Sequence, residues 1–279
     1  MDPTVPEAAL NPGLCEDHMT VVFAVRTSQD RAGDAGESRG RSGETMKILF
    51  VGQGTFRLTL EDGTVLLTDP WFKMNPVWRA VPPALGPSQL GSIHFILSSH
   101  NHLDHIDKPS LKLAKKQGIT VVGSERVARR ARRFGIRESV GMVPREKRSF
   151  GAFSIVATPA FHPLARDAIG FLIRASGKQI YYSGDTRPDP ELISFLQGAG
   201  KTDLAFLQIA CARYFGKDDG LRLWTAAELA KTFKPSIVVP MHYHGRFKEA
   251  DPSRLKQLLA SSGIEVMVTE LGREVNVFT

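Results

Sequence analysis

From Met46 onward, short apolar runs closed by turn signals set the rhythm of this chain. The runs at 47–51, 55–60 and 64–68, with the turn Glu61-Asp62-Gly63 between the last two and Asp69-Pro70 at the end, predict strands joined as β-hairpins. Helical patterns then alternate with strands. A helix over 109–117 is stopped by Gly118, a strand follows at 119–123, and a second helix over 125–134 is stopped by Gly135. Further on, a helix over 190–197 precedes a strand at 203–209. Thr225-Ala226-Ala227-Glu228 reads as a capping box opening a helix that ends before Pro235. Asp251-Pro252 reads as the N-cap and first turn of a helix closed by Gly263, with a buried strand at 237–241 between these two helices. Hairpins followed by strand–helix alternation predict an α/β (α+β) fold, two mixed sheets with helices outside, rather than a barrel or a bundle.

Composition divides the chain into two regions. Residues 26–45 (RTSQDRAGDAGESRGRSGET) are glycine, serine and charge with almost nothing to bury, so 1–45 is expected to be a disordered N-terminal extension and 46–279 the folded domain. Overall, 42% hydrophobic and 23% charged residues is ordinary globular content. The longest apolar runs, such as Ile93–Leu97 and Ile237–Met241, have strand length and fall short of the roughly 20 residues that span a bilayer. The opening MDPTVPEAALNPG lacks the basic start and apolar core of an export signal. Only Cys15 and Cys211 are present, which argues against a disulfide scaffold and against zinc held by thiolates. A cytoplasmic location is the expectation.

Ten residues concentrate the chemistry. Ser98–Asp107, SSHNHLDHID, holds three of the eight histidines and two carboxylates. His100 and His102 follow an apolar strand, and alternate residues of an extended segment project to one side, so both imidazoles converge on one ion. Asp104 and His105 come just after, where a turn aims them at a second. More ligands are needed, and three other strand ends supply them: His162 after 156–161, Asp185 after 180–184, and His242 after 238–241.

The series H-x-H-x-D-H, a lone His, G-D-T and a late His resembles the metallo-β-lactamase superfamily, and the likeness covers about residues 46–279. It implies an αββα sandwich in which His100, His102 and His162 bind the first metal. Asp104, His105 and His242 bind the second, and Asp185 bridges both. The phrases VLLTDPWF, SHNHLDHID, TPAFH, YYSGDT and VVPMHY look most like the branch that holds N-acyl-phosphatidylethanolamine phospholipase D and L-ascorbate-6-phosphate lactonase. Gln53-Gly54 and Gln208-Ile209-Ala210 depart from the pattern of many relatives, close to the expected pocket.

Two divalent ions so held lower the pKa of a bridging water, which predicts hydrolysis by a metal-bridging hydroxide with Asp104 and Asp185 orienting it. Zinc heads the expected metals, and manganese or iron suits the same His and carboxylate donors. The expected substrate is a small or lipid-like ester, lactone or phosphodiester, with an anionic group in view of the formal charge of +7. His244 is a candidate proton donor or substrate contact, or a plain loop histidine. Arg213 and Tyr214 are either pocket residues for an anionic substrate or loop residues. Asp69 either braces a ligand histidine or makes a turn before Pro70. A nuclease and a non-catalytic binding module are the competing readings. The arginines Arg126, Arg129, Arg130, Arg132, Arg133 and Arg137 supply charge for the nuclease, but with no interleaved aromatics they read as a solvated helix face. Nucleic acid is therefore not the expected partner.

If residues 1–45 carry nothing that packs, a chain starting at Met46 should match the full chain in melting temperature and metal content. Calorimetry of the two side by side checks this, and a clear loss of stability on truncation would place the boundary elsewhere.

Overall fold

A computed structural model describes residues 45–74, 79–214, 216–245 and 250–278, with the side chain of Tyr214 outside the description. The extension expected over 1–45 lies outside the described residues except for Thr45. Among the described residues the chain builds two seven-stranded sheets. The first begins as an antiparallel meander of β1 (Met46–Gly52), β2 (Thr55–Thr59) and β3 (Val65–Thr68). It continues in parallel through β4 (Phe95–Ser98), β5 (Thr120–Ser124) and β6 (Ser139–Met142). The parallel crossovers pass through helices α1 (Lys108–Gln117) and α2 (Glu125–Arg133).

The second sheet starts with antiparallel β7 (Lys147–Phe150), β8 (Phe153–Pro159), β9 (Ile169–Ala175) and β10 (Lys178–Tyr182). Parallel to β10 run β11 (Leu204–Gln208), β14 (Ile237–Met241) and β15 (Glu265–Val266), separated by α3 (Pro190–Gly198), α4 (Leu223–Phe233) and α5 (Pro252–Leu259). A small hairpin, β12 (Arg213–Tyr214) and β13 (Lys217–Asp218), stands apart after β11. The last strand, β16 (Glu274–Val277), returns to the first sheet beside β1.

Strand β1 shows why four layers form. Ile48 and Phe50 face the apolar layer between the sheets, while Leu49 and Val51 face the layer under α1 and α2. Buried on both faces, the strand reads as a continuous apolar run. In β10, Ile180 and Tyr182 likewise belong to the inter-sheet core, and Tyr181 belongs to the layer shared with Leu192 and Leu196 of α3, Leu229 of α4 and Leu255 of α5. Three apolar interfaces thus join four layers, the αββα sandwich.

Two helix boundaries differ from the sequence reading. Helix α4 starts at Leu223, and Thr225 is its third residue: the Thr225 hydroxyl accepts from Arg222 N at 2.9 Å, so threonine answers the cap instead of being it. Helix α5 ends at Leu259, before Gly263, because turns formed by Ala260 N on Gln257 O and Ser262 N on Leu259 O take over. The Asp251-Pro252 start is as expected, with Asp251 Oδ1 accepting from Ser253 N at 2.8 Å. His94 sits just ahead of β4, and its Nδ1 accepts from Val65 N at 2.9 Å, a purely structural use.

The backbone of β4 and the Val127 side chain of α2 leave no room at Gly123, where an added Cβ would lie 2.2 Å from Ser98 O and 2.8 Å from Val127 Cγ1. Gly123→Ala is expected to cost about 1–3 kcal/mol through overpacking. A urea midpoint lowered at unchanged slope is the result to look for, and an unchanged midpoint would show that this layer relaxes freely.

Candidate metal centre

Because β8 and β10 both flank β9 in antiparallel fashion, they run in the same direction, and β11 and β14 are parallel to β10. Their C-terminal ends therefore share one edge of the second sheet. His162 follows β8, Asp185 follows β10 and His242 follows β14, all at that edge. The loop after β4 brings His100, His102, Asp104 and His105 to the same place. His105 N and Ile106 N both bond to His102 O, a turn that lifts Asp104 and His105 off the strand direction. Asp107, the second carboxylate of the opening motif, has a structural task. It caps α1 through Ser110 N at 2.9 Å and accepts from Phe72 N and Lys73 N at 2.8 and 2.6 Å.

Three groups of nitrogen and carboxylate oxygen atoms lie mutually within 4.8 Å: His100, His102 and His162; His100, His105 and Asp185; Asp104, His105 and His242. All seven residues singled out from the sequence as metal ligands take part. His105 Nε2 stands 3.3 Å from Asp185 Oδ2 and 3.7 Å from Asp104 Oδ2; His242 Nε2 stands 3.4 Å from Asp185 Oδ1 and 3.6 Å from Asp104 Oδ2. Both Nε2 atoms are buried and have no hydrogen-bond partner. Two buried imidazole nitrogens turned toward carboxylates yet unbonded to them leave a gap of the kind a cation fills, and neutral histidine with carboxylate is the donor set of zinc, manganese or iron. The residues present fit the metal.

Protonation follows burial. Burial, assisted by the neighbouring His105, holds His100 well below the ordinary histidine value, and burial likewise lowers His102. Both are thus neutral and their lone pairs are available to a metal. For His105 burial acts downward too, but Asp185, Asp69 and Asp104 together outweigh it and raise its value.

Asp69 is the brace. Its Oδ1 accepts from Ser99 N at 2.6 Å, and its Oδ2 lies 2.8 Å from Ser99 Oγ, His105 Nδ1 and the Tyr182 hydroxyl. Burial raises the Tyr182 pKa well above the ordinary value, with Asp69 adding to it, so Tyr182 keeps its proton and can donate it. With Nδ1 engaged by Asp69, the His105 ring turns Nε2 inward. At His242 the counterpart is Ala210 O, 3.3 Å from Nδ1, while Gln53 O accepts from His242 N at 2.9 Å. Asp69, His242 and Gln53 all have left-handed backbones, with φ of 32°, 67° and 59°. Non-glycine residues in that region cost about 1–3 kcal/mol each and gather where a site over-determines them. In the G-D-T motif, Gly184 has φ 55°, and an added Cβ would meet Ser99 Cβ at 2.6 Å. Only glycine lets the Asp185 loop come that close to the histidine loop.

His244 falls outside the three groups. Its ring lies 5.2 Å from Phe50 and 4.6 Å from Tyr243, its backbone N donates to Gln53 Oε1 at 3.0 Å, and burial with nearby Arg79 lowers it to about 4. It is therefore neutral near pH 7.

Three residues have a part in the site that the sequence reading did not give them. Arg79 is a buried cation stacked 4.5 Å over Trp71, with Nε bonded to Val81 O and NH1 to Trp71 O, and burial lowers it to about 10 despite Asp107 and Asp104. Arg130 belongs to the arginine-rich helix, whose Arg126, Arg129, Arg132 and Arg133 are exposed as expected, but it is half-buried and bonds Asn101 O and Oδ1 at 3.4 and 3.2 Å. It thus braces the residue between His100 and His102. Gln208 spans two loops, its Oε1 accepting from Thr186 N at 3.3 Å and Leu221 N at 3.0 Å. A glutamine ending the apolar run of β11 is a detectable oddity, whereas helical spacing gives Arg130 no priority over Arg132 beside the buried Val127, Ala128 and Ala131. Arg79 carried no signal.

Asp69→Ala would leave Ser99 N buried without an acceptor, at about 1–3 kcal/mol, take from the Tyr182 hydroxyl one of its two acceptors while Gly54 O stays at 2.8 Å, and free the His105 ring. Expected are a clear drop in melting temperature and metal affinity about 10–100-fold weaker, read by elemental analysis after dialysis against a graded chelator. Tyr182→Phe should cost far less. Full metal retention in Asp69→Ala would remove the bracing role.

With this geometry in hand, comparison with known proteins is direct. Residues 64–243 match the family described as "Beta-lactamase superfamily domain". A UPF0173 protein of Pyrococcus furiosus is 30% identical over 226 residues, covering 81% of this chain and 96% of its own length. A UPF0173 metal-dependent hydrolase of Heliobacterium modesticaldum is 33% identical over 214 residues, covering 71% and 83%. Among solved structures, Igni18, a metallo hydrolase from the archaeon Ignicoccus hospitalis, superposes with a TM-score of 0.72 at 24% identity over 85% of this chain and all of its own, a likeness of fold. The narrower likeness to the phospholipase and lactonase branch is not reached by these matches. The chain belongs to the metallo-β-lactamase superfamily and is a metal-dependent hydrolase akin to the UPF0173 proteins.

Proposed function

We propose that the seven clustered residues hold two divalent ions and that the protein hydrolyses an ester, lactone or phosphodiester bond of a small or lipid-like substrate. His100, His102 and His162 take the first ion, Asp104, His105 and His242 the second, and Asp185 lies between them. The observation that carries this reading is the pair of buried Nε2 atoms, on His105 and His242, facing two carboxylates at 3.3–3.7 Å without a hydrogen bond. Zinc is the first choice of metal, with manganese or iron suited to the same donors.

Bound there, the ions would supply Lewis acidity and lower the pKa of a water to about 7, with no need of a serine or cysteine nucleophile. The protein's own groups do the rest. Asp185 is buried and holds its carboxylate between His105 and His242. The Asp104 side chain is 29% exposed, so its carboxylate meets both the site and the solvent, and with Oδ2 turned toward His105 and His242 its other oxygen would take up the proton of an attacking water. His244, neutral and held against Phe50 and Tyr243, serves as a substrate contact or hydrogen-bonding group. Leu103, between two ligands, and Leu164, two residues past His162, are 68% and 55% exposed and offer apolar contact beside the site, which supports a substrate with an apolar part. Among the described residues no helix is long and apolar enough to cross a membrane. The scarcity of cysteine supports a cytoplasmic setting.

Protein prepared with ample zinc and manganese should hold close to two ions per chain, since seven ligands exceed the needs of one tetrahedral site. Asp104→Ala and Asp185→Ala are expected to be poor in metal and inactive on the best substrate of an ester, lactone and phosphodiester panel. His244→Ala should keep its metal and lose about 10²–10⁴-fold in rate at most. A reproducible content of one ion, or Asp185→Ala with full metal and normal turnover, would sink the binuclear reading.

A further inference from the structure

A cavity of about 430 Å³ is lined among others by Phe161, Arg187, Asp189, Lys217, Asp218 and Gly220. Its walls continue directly from two of the proposed ligands. Phe161 precedes His162, and Arg187 follows Asp185 by two residues. The two segments are stitched together, Phe161 N donating to Thr186 Oγ1 at 2.9 Å and Arg187 N to Phe161 O at 3.0 Å. The opposite wall is the segment from β13 to Gly220, and Gln208 ties it to the first through Thr186 N and Leu221 N. An added Cβ on Gly220 would lie 2.1 Å from Gln208 Oε1, so this wall rests directly on that amide.

The charges on the two walls are unequally committed. Asp189 caps α3, accepting from Glu191 N at 2.9 Å. Asp218 is held by Arg222 at 2.7 Å, with Arg213 at 3.8 Å, and the Arg222 hydrogen bond keeps its carboxyl below the usual range. Both acids are therefore engaged. Among the described residues no carboxylate pairs with Arg187 or Lys217, which face the cavity from opposite sides. Two uncommitted cations across a cavity are matched by a dianion with several acceptor oxygens, and a planar guanidinium binds phosphate in a two-point fork.

We infer that this cavity binds a phosphate monoester group carried by the substrate, with Arg187 and Lys217 as the recognition residues and Phe161 against the adjoining organic part. The ligand's identity as substrate rests on the hydrolase reading above. The phosphate here is a handle, and the bond cleaved lies at the metal centre.

The test uses phenyl phosphate as probe and the full chain stripped of metal, with titration calorimetry as readout. Wild type should bind the probe, more weakly as salt is raised. Arg187→Gln/Lys217→Gln should weaken binding by about tenfold or more, as loss of charge-assisted hydrogen bonds predicts. Arg187→Lys/Lys217→Arg, which keeps both charges, should recover most of it, and Arg129→Gln, on the exposed face of α2, should leave it unchanged. Equal affinity in the double Gln variant, or binding lost equally in Arg129→Gln, would overturn the assignment. Absence of binding by wild type would do the same, and benzoate binding as tightly as phenyl phosphate would overturn the choice of phosphate. No metal and no turnover enter this measurement, so its failure leaves the hydrolase reading intact, whereas an absence of bound metal would sink that reading alone.

Discussion

One buried carboxylate holds the working edge of this protein together. Asp69 is fully buried and ends β3 in the first sheet, yet the Tyr182 hydroxyl that reaches it at 2.8 Å belongs to β10 in the second. A carboxylate taken out of water at this depth is tolerated only when its lone pairs are met by donors. Ser99 N, Ser99 Oγ and His105 meet the rest, all from the loop after β4. The same bonds that make the burial of Asp69 possible therefore set the distance between the sheets at this edge and the orientation of a proposed metal ligand. Stability and site geometry cannot be varied separately here.

The other side of the site is held by backbone. Gln53, in the β1–β2 turn, receives His242 N on its carbonyl and His244 N on its side chain, so a turn of the first sheet grips the end of β14 in the second. The Gln53 side chain is thereby committed to the protein itself. Gln208 does likewise between the Asp185 loop and the loop that leads into α4. Both glutamines are buried and both join segments far apart in sequence.

That division decides how much could be read beforehand. Two mixed sheets with helices outside and the gathering of His100, His102, Asp104, His105, His162, Asp185 and His242 were legible, because apolar runs ending in His or Asp report both the strand and its end. The brace by Asp69 was open between two readings, since an Asp before Pro also makes a turn, and only its neighbours decide. The α4 start was misplaced because Thr225 and Arg222 bond reciprocally, a pattern that reads equally well from either end. Arg79 was opaque, and Gln53 and Gln208 stood out only as departures near the pocket without a role: their partners lie across the fold, and no local spacing announces a contact made by tertiary packing.

Electrostatics links the proposed centre with the cavity beside it. Two divalent ions outweigh the carboxylates of Asp104 and Asp185 that would hold them, so a loaded centre is net positive and favours a substrate that brings negative charge. Arg187, on the wall that begins at Asp185, and Lys217, across the cavity from it, would extend that preference outward. Such an arrangement separates two demands that would otherwise conflict. A phosphate bound directly to the ions would compete with the group to be cleaved, whereas a phosphate held by flanking cations spends its binding on position, leaving the ions for the reacting bond. The basic helix α2 contributes little to this field, since most of its arginines point into water and Arg130 is turned toward Asn101. Substrate choice would thus be set by a few side chains on the β8, β10 and β12–β13 loops, which can change without disturbing the ligand histidines or the buried aspartate behind them.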